Sequence, residues 1–460
     1  MKIGFISLGC PKNLVDSEVM MGLLEARGHE LTQDPGQAEA LVVNTCSFIE
    51  PAKQESIDSI LETAEYKRIG RARRLVVAGC LVERYRDELQ QQIPEVDAVL
   101  GTNELESIVH HCEGGAIAPP APPAGGYLYH DLTPRRLATP RHFSYIKINE
   151  GCDHPCSFCI IPQFRGSFRS RRFESVVLEA ERLFGQGVRE INLIGQDTTA
   201  FGDDLGIKDG LPTLLDRLAR IDGAGWIRVL YAYPNRVSNR LVDTIASHDS
   251  LCPYLDIPLQ HASASVLRRM KRGSSGDIFL RLIERIRSTI PGVSIRTSFI
   301  VGFPGETERD FETLCQFLQA ARFDHVGCFR YSDDEHSASF ALTGKVDRRT
   351  IYNRQRRLMA LQRRISRGSK RALVGERFPV LVGGPSGETD LLWEGRLQTQ
   401  AEEIDGKTYL TRFPEASNPR PGDLGIARIT RSTDYDLFAE VEQITRPAAH
   451  PRPNPLPVLQ

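Results

Sequence analysis

Cys152, Cys156 and Cys159 stand within eight residues, in the stretch GCDHPCSFCIIP. Three thiolates at this spacing can ligate a 4Fe-4S cluster. Such a cluster has one iron more than this trio has thiols, so one coordination position stays open for a group that must react. The alternative is a structural zinc site, with His154 or Cys328 as the fourth ligand. Zinc motifs usually come as CxxC pairs, and CxxxCxxC lacks that shape. A second trio is spread along the chain. Cys10, Cys46 and Cys80 each close an apolar run: KIGFISLGC, ALVVNTC and RLVVAGC. A free cysteine is often only a small buried hydrophobe. Three that end similar strands can instead converge on a second cluster, again with one iron open. Cys112, Cys252, Cys315 and Cys328 show no such regularity and read as core thiols.

The elements that must position these thiols are legible in outline. Apolar runs suited to buried strands alternate with helical patterns at 16–28 and 51–66, which predicts βαβ units and a Rossmann-like parallel sheet over 1–112. Ligands of such sheets sit beyond the carboxyl ends of the strands, so Cys10, Cys46 and Cys80 should share one edge. A Pro-, Ala- and Gly-rich stretch, Glu113 to Gly126, reads as linker, with the spacer as a whole taken to run from 113 to 140. From 141 to 372, six strand-like runs start near 143, 189, 226, 254, 293 and 324, mostly separated by helical patterns. Six units predict an incomplete (β/α)6 barrel rather than a full eight. The three-cysteine loop directly follows the first of these strands, on the face where such barrels place their active sites. LIGQDT ends the second strand and puts Gln196 and Asp197 on that face; DIPLQHAS does the same with Gln260 and His261; VGFPGET ends the fifth, where Gly302 and Gly305 permit close backbone approach. A lone histidine is more often structural than catalytic, so His261 is a weak candidate. A basic helix follows, with no Asp or Glu from Arg348 to Arg371. Five short strands over 373–446 suggest a small OB-like β-barrel, and the Pro-rich tail 447–460 reads as disordered.

Composition is that of a globular protein: 460 residues, 40% hydrophobic, 25% charged, formal net charge −1. No global basic field demands nucleic acid. No apolar stretch reaches the ~18–20 residues of a membrane span, and the start has no signal-peptide pattern. A cytoplasmic protein with reduced thiols is expected, where clustered cysteines mean metal or catalysis more often than disulfides.

The cysteine loop, with Phe158 before its last thiol, is similar to that of the radical S-adenosylmethionine enzymes. The whole chain resembles their methylthiotransferase family, which has an amino-terminal three-cysteine domain, a radical domain and a TRAM barrel. SLGCPKNLVDSE (Ser7 to Glu18) and GQDTTAFG (Gly195 to Gly202) resemble the branch that modifies small-subunit ribosomal protein S twelve. The related tRNA enzymes usually show Gln-Met-Asn where this chain has Pro11, Lys12 and Asn13.

The resemblance implies two 4Fe-4S clusters, on Cys10, Cys46 and Cys80 and on Cys152, Cys156 and Cys159. It implies S-adenosylmethionine held beside Gly195, Gln196, Asp197, Gln260, Gly302, Pro304 and Gly305. The implied reaction replaces a C–H by C–S–CH3 on the β-carbon of an aspartate of ribosomal protein S twelve, free or within the small subunit. One S-adenosylmethionine would methylate sulfur at the first cluster, and a second would yield the hydrogen-abstracting radical. A reductant such as flavodoxin or ferredoxin and a sulfur donor are implied, and no membrane. A tRNA adenosine is the alternative substrate.

Charge adds a hint. Between Leu373 and Arg446, thirteen Asp or Glu stand against eight Arg or Lys. Such a barrel should repel phosphate and attract a basic protein. The basic helix pulls the other way, toward ribosomal RNA or toward acids elsewhere in the chain.

Overall fold

The computed structural model describes residues 1–115, 126–389, 391–415 and 417–445. Most of the Pro-rich linker and the whole tail 447–460 lie outside them.

The first sheet is five-stranded and parallel throughout, in the order Glu30–Thr32, Lys2–Ser7, Ala40–Thr45, Arg74–Gly79, Ala98–Leu100. Side chains alternate between its faces, as a pleated strand requires. Phe5, Val42 and Val76 pack with Val15, Val19 and Leu24 of the helix Pro11–Ala26. Leu41, Val43 and Leu75 face the other way, against Ile60 and Leu81 of the helices Glu50–Ile69 and Cys80–Gln92. Helices on both faces make a doubly wound sheet. The strand order puts its switch point between Lys2–Ser7 and Ala40–Thr45, the crevice where such folds bind ligands. Cys10 and Cys46 lie just beyond the ends of those two strands.

The second sheet has the six expected strands: Phe143–Lys147, Glu190–Ile194, Trp226–Val229, Leu251–Asp256, Ser294–Val301 and His325–Arg330. They pair in sequence order, all parallel, and the first never pairs with the last. This is a barrel left open on one side. Its outer side chains, such as Ile191, Leu193 and Ile227, form one core with the surrounding helices. Its inner side chains, Phe143, Tyr145, Trp226 and Tyr254, join the first-section residues Ile3 and Phe5 and the terminal-barrel residues Leu381 and Ala401 in a single cluster. The three sections therefore share a core.

Five strands, Arg377–Pro385, Trp393–Leu397, Thr408–Arg412, Leu424–Ser432 and Leu437–Thr445, close the small terminal barrel. It docks on the amino ends of the large barrel's strands, opposite the cysteine loops. Glu190 there accepts hydrogen bonds from Arg228 (3.0 Å) and from Arg396 of the small barrel (2.6 Å). Asp405 accepts one from the Tyr254 hydroxyl (2.8 Å) and lies 3.1 Å from His325 Nδ1. Among the described residues no helix is long and apolar enough to cross a membrane.

Three local features were not anticipated. The helix predicted from Asp16 begins at Pro11, directly after Cys10; proline at the first helical position suits its fixed φ. Inside the cysteine loop lie a short helix, Ile161–Arg165, and a two-residue ladder pairing Asn149–Glu150 with Arg169–Ser170. The stretch 126–140 forms no helix or strand but is built into the seam: Tyr129 is buried, and Arg135 bonds Glu18 (2.9 Å) and Glu179 (2.7 Å).

The docking seam carries a pH signature. Burial, then the charge of Arg396, pushes His142 down to about 4, whereas a histidine in the unfolded chain titrates near 6.5. Between those values the unfolded chain binds more protons, so this stability is complete above about pH 6.5 and is lost as pH falls toward 4. Thermal denaturation should show wild type losing roughly 2 kcal/mol through this group between about pH 6.5 and 5. His142→Phe should fall less steeply; equal slopes would remove His142 as the cause.

Candidate functional site

The two cysteine trios sit on facing edges, and the backbone at each is shaped for them. Gly9, before Cys10, has φ +92°, and a Cβ there would stand 2.6 Å from Cys46 Cβ. Gly151, before Cys152, has φ +78°, and a Cβ would stand 2.1 Å from the Ser167 carbonyl oxygen. Only glycine meets both demands without strain.

In the first trio Cys46 feels the charge of Cys10 and Cys80, and Cys80 feels that of Cys10. Burial, then Cys10, pushes the Cys46 thiol up to about 12; burial likewise raises Cys80, against the opposing charge of Arg165. Thiols in such surroundings ionise when a metal ion supplies the positive charge. Cys152 and Cys159 behave alike, pushed up by burial to about 11 and about 12. Among the described residues no three His, Cys, Asp or Glu side chains converge as a single metal ion requires. A four-iron cluster asks for something else, since each thiolate takes its own iron at a separate corner and the thiols stand further apart. The two proposed fourth zinc ligands are engaged elsewhere. His154 Nε2 is 2.6 Å from Asp197 Oδ2, and its ring stacks on Tyr233 at 3.7 Å. Cys328 feels the charges of Glu306 and Cys315. The donor set fits clusters.

The predicted cofactor-wall residues gather around the second trio. Gly195 backs onto Asn149, and the Gln196 N–H donates to Asn149 Oδ1 (3.3 Å). Gln196 Nε2 donates to Glu150 (2.5 Å), while Gln196 Oε1 is buried with no partner among the described residues. That orphaned acceptor is the kind of group a bound ligand satisfies. Asp197 accepts from the Thr199 N–H (2.9 Å) and faces His154. The turn after the fifth strand, with Gly302 and Gly305 at positive φ, is held by Glu306, which accepts from the N–H groups of Gly302 (2.6 Å) and Phe303 (3.2 Å). Phe158 of the cysteine loop packs in the same small cluster as Phe303, and Pro304 gives its carbonyl to Arg269 (3.3 Å). Gln260 takes φ +70° and bridges by its backbone to the fifth strand. His261 is fully buried, its Nδ1 accepting from the Ser263 N–H (3.0 Å), while its Nε2 has no hydrogen-bond partner among the described residues.

Between the trios lies a network that sequence reasoning missed. Lys147 Nζ donates to Asp16 (2.6 Å) and Glu150 (2.5 Å). Arg165 donates to Asp16 (2.7 Å), Glu150 (3.3 Å), Asn13 Oδ1 (2.6 Å) and the Cys80 sulfur (3.5 Å). All four charged side chains are at most 4% exposed. Burial opposes ionisation of Glu150, but Lys147 and Arg165 hold it down at about 2. At the second trio Arg272 lies 3.6 Å from the Cys156 sulfur. Lys12 Nζ sits 3.3 Å from the centre of the Tyr231 ring, which follows the third barrel strand. Burial opposes the Lys12 charge, but Tyr231 and Cys10 hold its pKa above that of an ordinary lysine. Charges at the end of an apolar strand (Lys147, Glu150) were the available signal; Arg165 and Tyr231 offered none.

Part of the terminal barrel's acidic excess is paired in place. Glu388 and Glu394 pair with Lys407, Glu440 and Glu442 with Arg428, and Asp434 with Arg367 of the basic helix. That helix also sends Arg354 and Arg357 to Glu306, Glu308 and Glu312. These pairs engage five acids of the barrel, and its excess of acids over bases remains.

Comparisons with known proteins agree with this anatomy. Residues 2–101 match an uncharacterized protein family, UPF0004; residues 146–318 match the radical SAM superfamily; residues 374–441 match the TRAM domain. A Solibacter usitatus protein named ribosomal protein uS12 methylthiotransferase RimO is 67% identical over 97% of this chain and 96% of its own length. Proteins of the same name from Koribacter versatilis and Sorangium cellulosum are 54% and 46% identical, each over 96% of this chain and over 96% and 91% of their own length. The solved radical S-adenosylmethionine methyltransferase TsrM of Kitasatospora setae superposes with a TM-score of 0.52 at 15% identity, over 71% of this chain and 72% of that one; the likeness is one of fold.

Arg165→Met leaves Asp16 and Glu150 buried with one cation between them. Removing one partner of a buried pair typically costs about 3–5 kcal/mol. The melting temperature should drop accordingly, and iron bound by the first trio should fall with it; an unchanged melting temperature would dismiss the network as a structural tie.

Proposed function

Because this chain belongs to the ribosomal protein uS12 methylthiotransferase RimO family, we propose that it transfers a methylthio group to ribosomal protein uS12, on the β-carbon of an aspartate. The observation that carries the reading is the placement of two thiol trios on facing edges, joined by one buried network that contacts Cys80 directly and reaches Gln196 beside the second trio. The relatives' shared name favours the ribosomal protein over a tRNA adenosine.

In this reading Cys152, Cys156 and Cys159 hold one 4Fe-4S cluster, and Gly195, Gln196, Asp197, Gln260, Gly302, Pro304 and Gly305 wall the S-adenosylmethionine beside it. Cys10, Cys46 and Cys80 hold the second cluster, where the sulfur to be transferred is kept. When bound, the clusters and S-adenosylmethionine supply electron transfer, methyl donation and a hydrogen-abstracting 5′-deoxyadenosyl radical. The chain's own residues orient and exclude. His154 and Asp197 brace the cysteine loop against the second strand, Phe158 and Phe303 shield one side of it from water, and Arg272 and Arg165 set positive charge beside the sulfur ligands, which favours thiolate. An external reductant and a sulfur donor complete the reaction.

The test incubates the anaerobically reconstituted enzyme with S-adenosylmethionine, reductant, sulfide and uS12, then weighs the peptides. A methylthio group replacing one hydrogen on an aspartate is expected. 5′-Deoxyadenosine without any mass gain would move the substrate to tRNA. Cys156→Ala should abolish 5′-deoxyadenosine formation. Cys46→Ala should keep it and lose methylthio transfer; full transfer by Cys46→Ala would defeat the two-cluster assignment.

A further inference from the structure

Lys12 stands apart from the other cations between the trios. Lys147 and Arg165 each hold two carboxylates. Lys12, half-buried and two residues from Cys10, pairs with no carboxylate among the described residues; its ammonium lies against the Tyr231 ring at 3.3 Å. A half-buried cation against an aromatic face, with no carboxylate beside it, can take an incoming carboxylate in a charge-assisted hydrogen bond.

Tyr231 is itself held in place. Its φ is +61°, a conformation that costs an aromatic residue and persists only when neighbours over-determine it. They do so here. Its N–H donates to Asp256 Oδ2 (3.2 Å), and its carbonyl accepts from the N–H (3.1 Å) and hydroxyl (3.3 Å) of Thr198. Thr198 follows Asp197 at the end of the second barrel strand. The backbone strain thus aims one aromatic ring from the barrel mouth at a lysine of the first section, beside a thiol of the first trio.

Resting on the methylthio-transfer reading, we propose that Lys12 is a specificity-determining residue that pairs with the carboxylate of the target aspartate, with Tyr231 holding the ammonium toward the gap between the two trios. The charge recognises the side chain, and the position of Lys12 next to Cys10 sets that side chain's β-carbon near the first trio.

The experiment uses the full-length reconstituted enzyme and two substrates: uS12, and uS12 whose modified aspartate is replaced by asparagine, which keeps the shape and removes the charge. kcat/KM for methylthio transfer is measured by mass for both. Wild type should prefer aspartate by roughly tenfold or more, the scale of one desolvated charge pair, with the difference mainly in KM. Lys12→Met should lose most of that preference, and Lys12→Arg should retain most of it. Wild-type transfer without an aspartate preference, or Lys12→Met with the wild-type preference, would overturn the assignment while leaving the transfer reading intact. Absence of any mass gain on uS12 with wild type is the separate failure of the transfer reading, and it overturns both. The wild-type comparison decides against the proposal without depending on how any variant folds.

Discussion

The structure depends on four buried charges. Asp16 comes from the first section, and Lys147, Glu150 and Arg165 from the barrel, at distances of 2.5–3.3 Å. Taking such groups out of water is expensive, and their mutual attraction repays it only when geometry is good and the remaining hydrogen-bonding atoms are satisfied. Here Arg165 also bonds Asn13 and Cys80, and Gln196 bonds Glu150. A network of this kind is a poor source of stability but a strong source of register: a shift of one section against the other would leave buried ions unpaired. It fixes where the first trio stands relative to the second.

That register matters because both trios occupy the same kind of place. Each lies at the carboxyl end of a parallel sheet, where strands stop and loops begin, and the two sheets present these ends to each other. The terminal barrel closes the opposite end, with Arg396 and Asp405 reaching between the strand starts. The residues that line the seam between the trios, Lys12, Tyr231, Gln196 and His154, come from three loops and one helix start. A reaction in which a sulfur from one centre must meet a carbon activated at another needs a seam built by both sections.

The charge of the terminal barrel shows how folding distributes a count. Thirteen acids against eight bases is a fact of the chain, and Lys407, Arg428 and Arg367 pair with five of those acids without removing the excess. A field depends on which charges remain unpaired after folding, and pairing is a property of the surface.

The sequence by itself determined what short-range pattern can carry. Apolar runs marked the strands, their spacing marked parallel βα units, thiols closing three of those runs marked the first trio, and the CxxxCxxC spacing within one loop marked the second. Gly302 and Gly305 were likewise legible, being local demands on φ. Only the tertiary structure decided what joins the trios. Arg165 meets Asp16 and Cys80, and Lys12 meets Tyr231, across separations of 149, 85 and 219 residues. No periodicity encodes such meetings. They arise when two sheets, each specified by its own pattern, pack edge to edge and the polar groups trapped between them must find partners.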